Sequence, residues 1–108
     1  MPSRREARER ALGLEYECEQ RDLRADELIG QLPVPPDEYA EGLVRGVDDH
    51  REEIDSLLRK YSEHWALERM PVVDRALLRI GVFELAWAPE IPTAVVISEA
   101  VELAQEYS

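Results

Sequence analysis

Several features that mark common protein classes are scarce or absent in this sequence. One cysteine among 108 residues excludes an internal disulfide and fits a reducing cytosol. No apolar run approaches the roughly 18–20 residues of a membrane-spanning helix. The N-terminus is charged and lacks the hydrophobic run of a signal peptide. We therefore expect a soluble, cytoplasmic protein without a membrane partner, forming a single domain over residues 1–108.

Motifs for catalysis, cofactors and metals are also missing from the sequence. It contains no phosphate-cradling glycine loop, no nucleophile motif and no Cys/His ligand cluster. His50 falls at the edge of an apolar stripe, and His64 has no spaced carboxylate or second histidine beside it. The acidic residues fall mostly on solvated helix faces and not in a desolvated cleft. The sequence thus predicts a protein that is not an enzyme and needs no cofactor or metal.

Positive charge is scarce and unevenly placed. Lysine and arginine total 13 against 24 acidic residues, which gives a net charge of −11. The first ten residues nevertheless carry a local charge of +2, so that the rest of the chain carries −13. A small basic end on an acidic body keeps nonspecific nucleic-acid binding weak while allowing one oriented contact.

Apolar residues recur with helical periodicity in every long segment, and no segment alternates as a strand does. The stretch VVDRALLRIGVFELAW, residues 72–87, is apolar on most sides, which predicts the central helix of a bundle. Ser3 and Glu6 predict a capping box at the start of a first helix that runs to about residue 20. Gly42 and Gly46, one turn apart, predict a close helix crossing. The fold class is therefore all-α, a compact helical bundle whose other predicted helices cover residues 25–32, 36–60 and 93–107.

Two sets of charged residues are candidates for function. Arg4, Arg5 and Arg8 share one arc of the first helix, where they either form a solvated face paired with nearby glutamates or contact a ligand. Glu84 interrupts an apolar arc of the central helix, where an unpaired buried carboxylate would be costly. Its carboxylate either pairs internally, with Arg79, Arg75 or an arginine of the first helix, or marks a surface that a partner covers.

Three motifs carry a resemblance to a known family. The run DRALLR, the element FEL that follows it and the block IPTAVVISEAVELA resemble the signature region of the NusB family of bacterial transcription antitermination factors. These motifs lie within residues 74–104. The N-terminal run RREARE (Arg4 to Glu9) is similar to the arginine-rich start of that family.

The resemblance implies a function as an RNA-binding adaptor. NusB-like proteins bind the boxA element of nascent RNA as a heterodimer with NusE, a small-subunit ribosomal protein. The complex modifies RNA polymerase so that ribosomal RNA operons are transcribed past terminators. On this chain the resemblance implies RNA-binding by Arg4, Arg5 and Arg8 and a partner-binding role for Glu84. Glu6 stands where the family often has another basic residue, which predicts a weaker RNA contact.

Two other functions stay open at this point. NusB-like domains also precede the catalytic domain of certain ribosomal RNA cytosine methyltransferases, so the chain could be such a module severed from its enzyme. It could also be a purely structural module that forms a homodimer. NusB-like proteins usually carry a further C-terminal helix with an FVNGVL-like segment, to which nothing in this sequence corresponds. We therefore expect that helix of the family to be missing, which leaves apolar surface uncovered and favours self-association.

Overall fold

The computed structural model describes residues 2–61 and 66–87. These residues form a single turn of 3-10 helix at Leu67–Arg69 and five α-helices: α1 (Arg4–Arg21), α2 (Ala25–Gln31), α3 (Glu38–Asp49), α4 (Arg51–Tyr61) and α5 (Val72–Trp87). No strand occurs within the described ranges, and the all-α prediction is confirmed. The predicted helix 93–107 lies outside the described residues. No helix within them has the length and apolar character that crossing a membrane requires.

Helix α1 begins at the capping box that the sequence predicts. The Ser3 hydroxyl accepts the backbone N–H of Glu6 at 3.0 Å, and the Glu6 carboxylate accepts the backbone N–H of Ser3 at 3.0 Å. These two bonds satisfy donors that a helix start otherwise leaves without partners. The helix ends at Asp22, which adopts a left-handed conformation with φ 53°. The backbone N–H of Leu23 then bonds the Cys18 carbonyl at 2.9 Å, which closes the C-terminus of α1.

The single long helix predicted over residues 36–60 is wrong at one point, because it is broken at His50. This residue has φ −111° and ψ 20° and separates α3 from α4. Its imidazole stacks on the indole of Trp87, with ring centroids 4.3 Å apart. The apolar stripe continues from Val47 to Ile54, both fully buried, so its periodicity passes across the break without revealing it. The side chain at the break is instead held by a tertiary contact with α5.

Helix α5 packs against α1, α3 and α4, whereas α3 packs against all four of the other described helices and is the more central of the two. The buried core is continuous and mostly aliphatic, and the largest apolar side chains in it that are under 2% exposed are Leu14, Leu28, Leu43, Val44, Val47 and Ile54. One side of α5 departs from the prediction that neighbours cover it. Leu78 and Leu85 are 38% and 43% exposed. Burial of α5 is therefore one-sided near these two residues.

Gly46 marks the closest approach of α3 to α5, as predicted for one of the two spaced glycines. The Phe83 ring of α5 lies where a Cβ of residue 46 would be. Gly42, one turn earlier, has open space at the corresponding point. A side chain at residue 46 would push Phe83 away from α3, and only this glycine is needed for the crossing.

The two glycines give a matched test of this crossing. Gly46→Ala should lower the free energy of unfolding by about 1–3 kcal/mol, because the added methyl group overpacks the contact with Phe83. Gly42→Ala should leave it unchanged or raise it by up to about 1 kcal/mol, because alanine is the better helix former. Urea titrations followed by circular dichroism measure both. Equal effects from the two substitutions would show that α3 does not approach α5 at Gly46.

Candidate nucleic-acid interface at the start of α1

The structure separates the three arginines that the sequence groups together. Arg4 is exposed at the first residue of α1. The Arg5 side chain is 35% exposed and lies 3.6 Å from the Glu9 carboxylate, one turn along the helix. Arg8 is only 2% exposed. Arg4 and Arg5 thus reach solvent, whereas Arg8 belongs to the interior.

The guanidinium of Arg8 forms a bidentate ion pair with Glu84 of α5. Its Nε donates to Oε1 of Glu84 at 2.8 Å, and its Nη2 donates to Oε2 at 3.0 Å. Glu84 is 1% exposed, and its carboxylate also accepts the hydroxyl of Tyr39 from α3. A buried carboxylate with a forked guanidinium partner and a further donor has the satisfied geometry that offsets its desolvation. The Glu84 carboxylate of α5 therefore forms hydrogen bonds with side chains of both α1 and α3.

The internal partner of Glu84 is Arg8, an arginine of the first helix. The other two candidates bond to other groups, Arg75 to the Met70 carbonyl and Arg79 to the Asp55 carboxylate. The partner-binding role of Glu84 stays a prediction, and at 1% exposure a partner reaches the carboxylate only if α1 moves. The same burial keeps Arg8 away from direct contact with RNA in this conformation.

Tyr39 joins the buried network to the exposed arginine. The guanidinium carbon of Arg4 lies 3.8 Å from the centroid of the Tyr39 ring, within the range of a cation–π contact. Burial and the hydrogen bond to Glu84 raise the pKa of the Tyr39 hydroxyl, so it stays protonated and donates. Sequence reasoning assigned no role to Tyr39. The available signal was the hydroxyl itself, because a buried tyrosine oxygen needs a partner.

Glu6 adds a negative charge at the same end of α1. Its hydrogen bonds with the backbone and hydroxyl of Ser3 lower the pKa of the Glu6 carboxyl, so it is ionised at neutral pH. The carboxylate is exposed and lies near the positive end of the helix dipole. Its negative charge opposes the attraction of Arg4 and Arg5 for an anion, and the weaker RNA contact that the family resemblance implies stays a prediction.

A second set of ion pairs lies further along α1 and joins it to α4 and α5. Arg79 makes two hydrogen bonds to Asp55, at 2.8 Å and 3.0 Å, and both residues are buried. Arg75 pairs with Glu19 and donates to the Met70 carbonyl at 3.0 Å. These contacts fasten helices together, and Glu19, Arg75 and Arg79 also line a cleft of about 300 Å³ with Arg59, Leu67 and Glu68. No group of residues suited to hold a metal ion is found in the described part of the chain.

Glu15 of α1 is the buried acid with the weakest partner in this second set. Its carboxylate lies 3.7 Å from the Arg51 guanidinium and is 4% exposed on its side chain. Burial raises the pKa of Glu15 to about 7, against smaller lowering effects from Arg51 and Arg79. This carboxyl therefore titrates near neutral pH, far above the range of an exposed glutamate.

Removing the Glu84 carboxylate should cost stability because it leaves Arg8 charged and buried without its partner. We expect Glu84→Ala to lower the free energy of unfolding by about 3–5 kcal/mol. The matched control is Glu41→Ala, which breaks an exposed pair with Arg45 at 3.1 Å and should cost at most about 1 kcal/mol. Thermal and urea unfolding measure both. A loss for Glu84→Ala no larger than that of the control would show that the pair is not structural.

The raised pKa of Glu15 predicts a pH dependence with a definite sign. Between about pH 4.5 and 7 the unfolded chain has lost the proton while the folded chain retains it, so stability falls as pH rises through this window. The difference amounts to roughly 3 kcal/mol, at about 1.4 kcal/mol per pKa unit. Glu15→Gln should flatten this fall, which unfolding titrations at pH 5 and pH 8 measure. Glu17→Gln, at a half-buried neighbouring position, is the control and should leave the slope unchanged; an equal slope in both variants would contradict the assignment.

Comparison with known proteins places the chain in a family. The NusB family model matches residues 5–108. Transcription antitermination protein NusB of Thermobifida fusca is 49% identical and aligns with 98% of this chain and 78% of its own length. The corresponding protein of Kineococcus radiotolerans is 48% identical, with 100% of this chain and 82% of its own length covered.

Solved structures agree with this assignment. T. maritima NusB superposes with a TM-score of 0.84 at 33% identity and covers 99% of this chain and 80% of its own. A protein chain in the crystal structure of a plectonemic RNA supercoil superposes with a TM-score of 0.83 at 30% identity, with 100% of this chain and 83% of its own covered. Sequence identity, coverage and fold together show that this chain belongs to the NusB family.

Proposed function

We propose that this chain is a transcription antitermination factor that binds boxA-type single-stranded RNA together with NusE. Relatives at 48–49% identity are named transcription antitermination proteins, and a chain with the same fold comes from a structure that contains RNA. In this proposal the protein acts in the cytoplasm as an adaptor and reaches the RNA polymerase complex indirectly. It is not an enzyme, in agreement with the names of its relatives.

The observation that carries the proposal is the pair of solvent-accessible arginines at the start of α1. Arg4 and Arg5 occupy the first turn, where the helix dipole contributes further positive potential. Guanidinium groups bind phosphate with directed hydrogen bonds and stack on unpaired bases, which single-stranded RNA exposes. Arg8 supports the site from within through its ion pair with Glu84 and makes no direct contact in this conformation.

The charge of the whole molecule explains why a partner is needed. A net charge of −11 repels RNA that approaches any surface other than this end. Glu6 further reduces the local attraction. Binding by the isolated chain should therefore be weak, and a basic protein such as NusE would supply additional phosphate contacts and offset the acidic body.

The double variant Arg4→Ala/Arg5→Ala tests the proposal. With NusE present, it should weaken binding of a boxA-type RNA oligonucleotide measured by fluorescence anisotropy. If each arginine makes one phosphate contact, the slope of log affinity against log salt should flatten by about 1.4, at about 0.7 per contact. Arg10→Ala is the control, because it removes one positive charge from an exposed position of the same helix, off the arc of Arg4 and Arg5.

Unchanged affinity and slope in the double variant would place the RNA site elsewhere and contradict the proposal. If Arg10→Ala lost half as much binding free energy and slope as the double variant, the effect would be one of overall charge and not of the Arg4 and Arg5 site. The exposed side chains of Leu78 and Leu85 on α5 are the observation that favours a competing function as a structural homodimer. Sedimentation separates it, because a purely structural dimer would show no new species when RNA and NusE are added.

The methyltransferase alternative is less well supported. The chain spans 78–82% of the length of the T. fusca and K. radiotolerans relatives, which are named as antitermination proteins. Those names favour an antitermination factor over a module of a methyltransferase.

A further inference from the structure

Tyr39 stands between the buried ion pair and the exposed arginine, with one contact to each. Its hydroxyl donates to the Glu84 carboxylate, and the guanidinium carbon of Arg4 lies over its ring, 3.8 Å from the ring centroid. It belongs to the first turn of α3, whereas Arg4 begins α1 and Glu84 lies on α5. A half-buried ring on a different helix thus forms the surface on which Arg4 rests.

The ring is fixed at both ends. Its backbone is held where Asp37 caps α3, with the Asp37 carboxylate accepting the backbone N–H of Ala40 at 3.0 Å. Its hydroxyl is held by Glu84, whose carboxylate is in turn fixed by the fork of Arg8. A tyrosine has few rotatable bonds, so anchoring the hydroxyl and the backbone fixes the long axis of the ring and therefore its position.

We infer that Tyr39 is a positioning residue for RNA binding, whose anchored ring holds the Arg4 guanidinium in place for a phosphate or an unpaired base of single-stranded RNA. This inference rests on the proposed function. It adds a residue that makes no RNA contact itself, on a helix that carries none of the RNA-binding arginines.

The physical reason is the entropy of a long side chain. A free arginine at a helix start samples many rotamers and loses them when it binds RNA. Stacking on a fixed ring restricts those rotamers before binding and leaves the guanidinium N–H groups able to donate, because they lie in the plane of the stacked group. An unpaired base can then stack on the guanidinium face that the ring does not cover. The expected contribution to affinity is roughly two- to fivefold, equivalent to the 0.5–1 kcal/mol of an exposed cation–π contact.

A double-mutant cycle on the full chain with NusE and a boxA-type RNA oligonucleotide tests the inference. Tyr39→Leu removes the ring and should weaken RNA binding roughly two- to fivefold when Arg4 is present. In the Arg4→Ala background the same substitution should have no effect, because there is no guanidinium left to position. Tyr39→Phe keeps the ring and loses only the hydroxyl, and it should bind RNA closer to the unaltered chain than Tyr39→Leu does.

The outcomes distinguish a failure of the positioning role of Tyr39 from a failure of the proposed RNA site. If Arg4→Ala weakens RNA binding while Tyr39→Leu has the same effect with and without Arg4, the positioning role is wrong and the proposed RNA site stands. If neither Arg4→Ala nor Arg4→Ala/Arg5→Ala changes RNA binding, both the positioning role and the proposed site are wrong. A non-additive loss that Tyr39→Phe largely rescues supports the positioning role.

A measurement on the unaltered chain avoids any loss of folding in Tyr39→Leu. In protein labelled with nitrogen-15 at arginine, the Nε–Hε resonance of Arg4 should be displaced upfield by the ring current of Tyr39. It should shift on RNA addition, whereas that of Arg10 should do neither. An Arg4 resonance at the position of a solvated arginine would overturn the inference whatever the stability of the variants.

Discussion

The buried ion pair between Arg8 and Glu84 is the interaction on which the rest of this arrangement depends. Its two charges are 2% and 1% exposed, on helices separated by most of the chain. Removing such charges from water is costly, and only a fully formed fork with its additional donor from Tyr39 compensates. Because few helix orientations satisfy that geometry, the pair fixes how α1 lies against α3 and α5 and therefore where Arg4 and Arg5 emerge.

Burial gives identical residue types different roles along α1. Arg4 and Arg8 are one turn apart, yet one reaches solvent over an aromatic ring and the other is an interior ion-pair partner. Among the glutamates, Glu6 caps the helix as an exposed, ionised group, whereas burial raises the pKa of Glu15 to about 7. Charge alone thus says little about the role of a residue on this helix, because desolvation decides it.

Helix α1 is organised into two ends with different tasks. Its start holds the exposed arginines above the Arg8–Glu84 pair, and its middle and end hold Glu15 and Glu19 against arginines of α4 and α5. The second set joins helices beside a cleft that Glu19, Arg75 and Arg79 line, while the first leaves cationic groups at the surface. These surface cations have acidic neighbours, since Arg5 lies 3.6 Å from the Glu9 carboxylate and Glu6 occupies the same first turn.

The sequence by itself determined the all-α class, the bounds of α1, α2 and α5, and the capping box, because these follow from local periodicity and neighbouring residues. It also determined that Glu84 needed a partner, since its position within an apolar arc is a local property. Only the tertiary structure decided that this partner is Arg8. It also decided that the helix predicted over residues 36–60 is interrupted at His50, which stacks on Trp87, and that the Arg4 guanidinium lies over the Tyr39 ring. Each of these contacts joins residues distant in sequence, and their geometry depends on how whole helices pack. Periodicity assigns a side chain to a face of its helix and leaves open what that face meets.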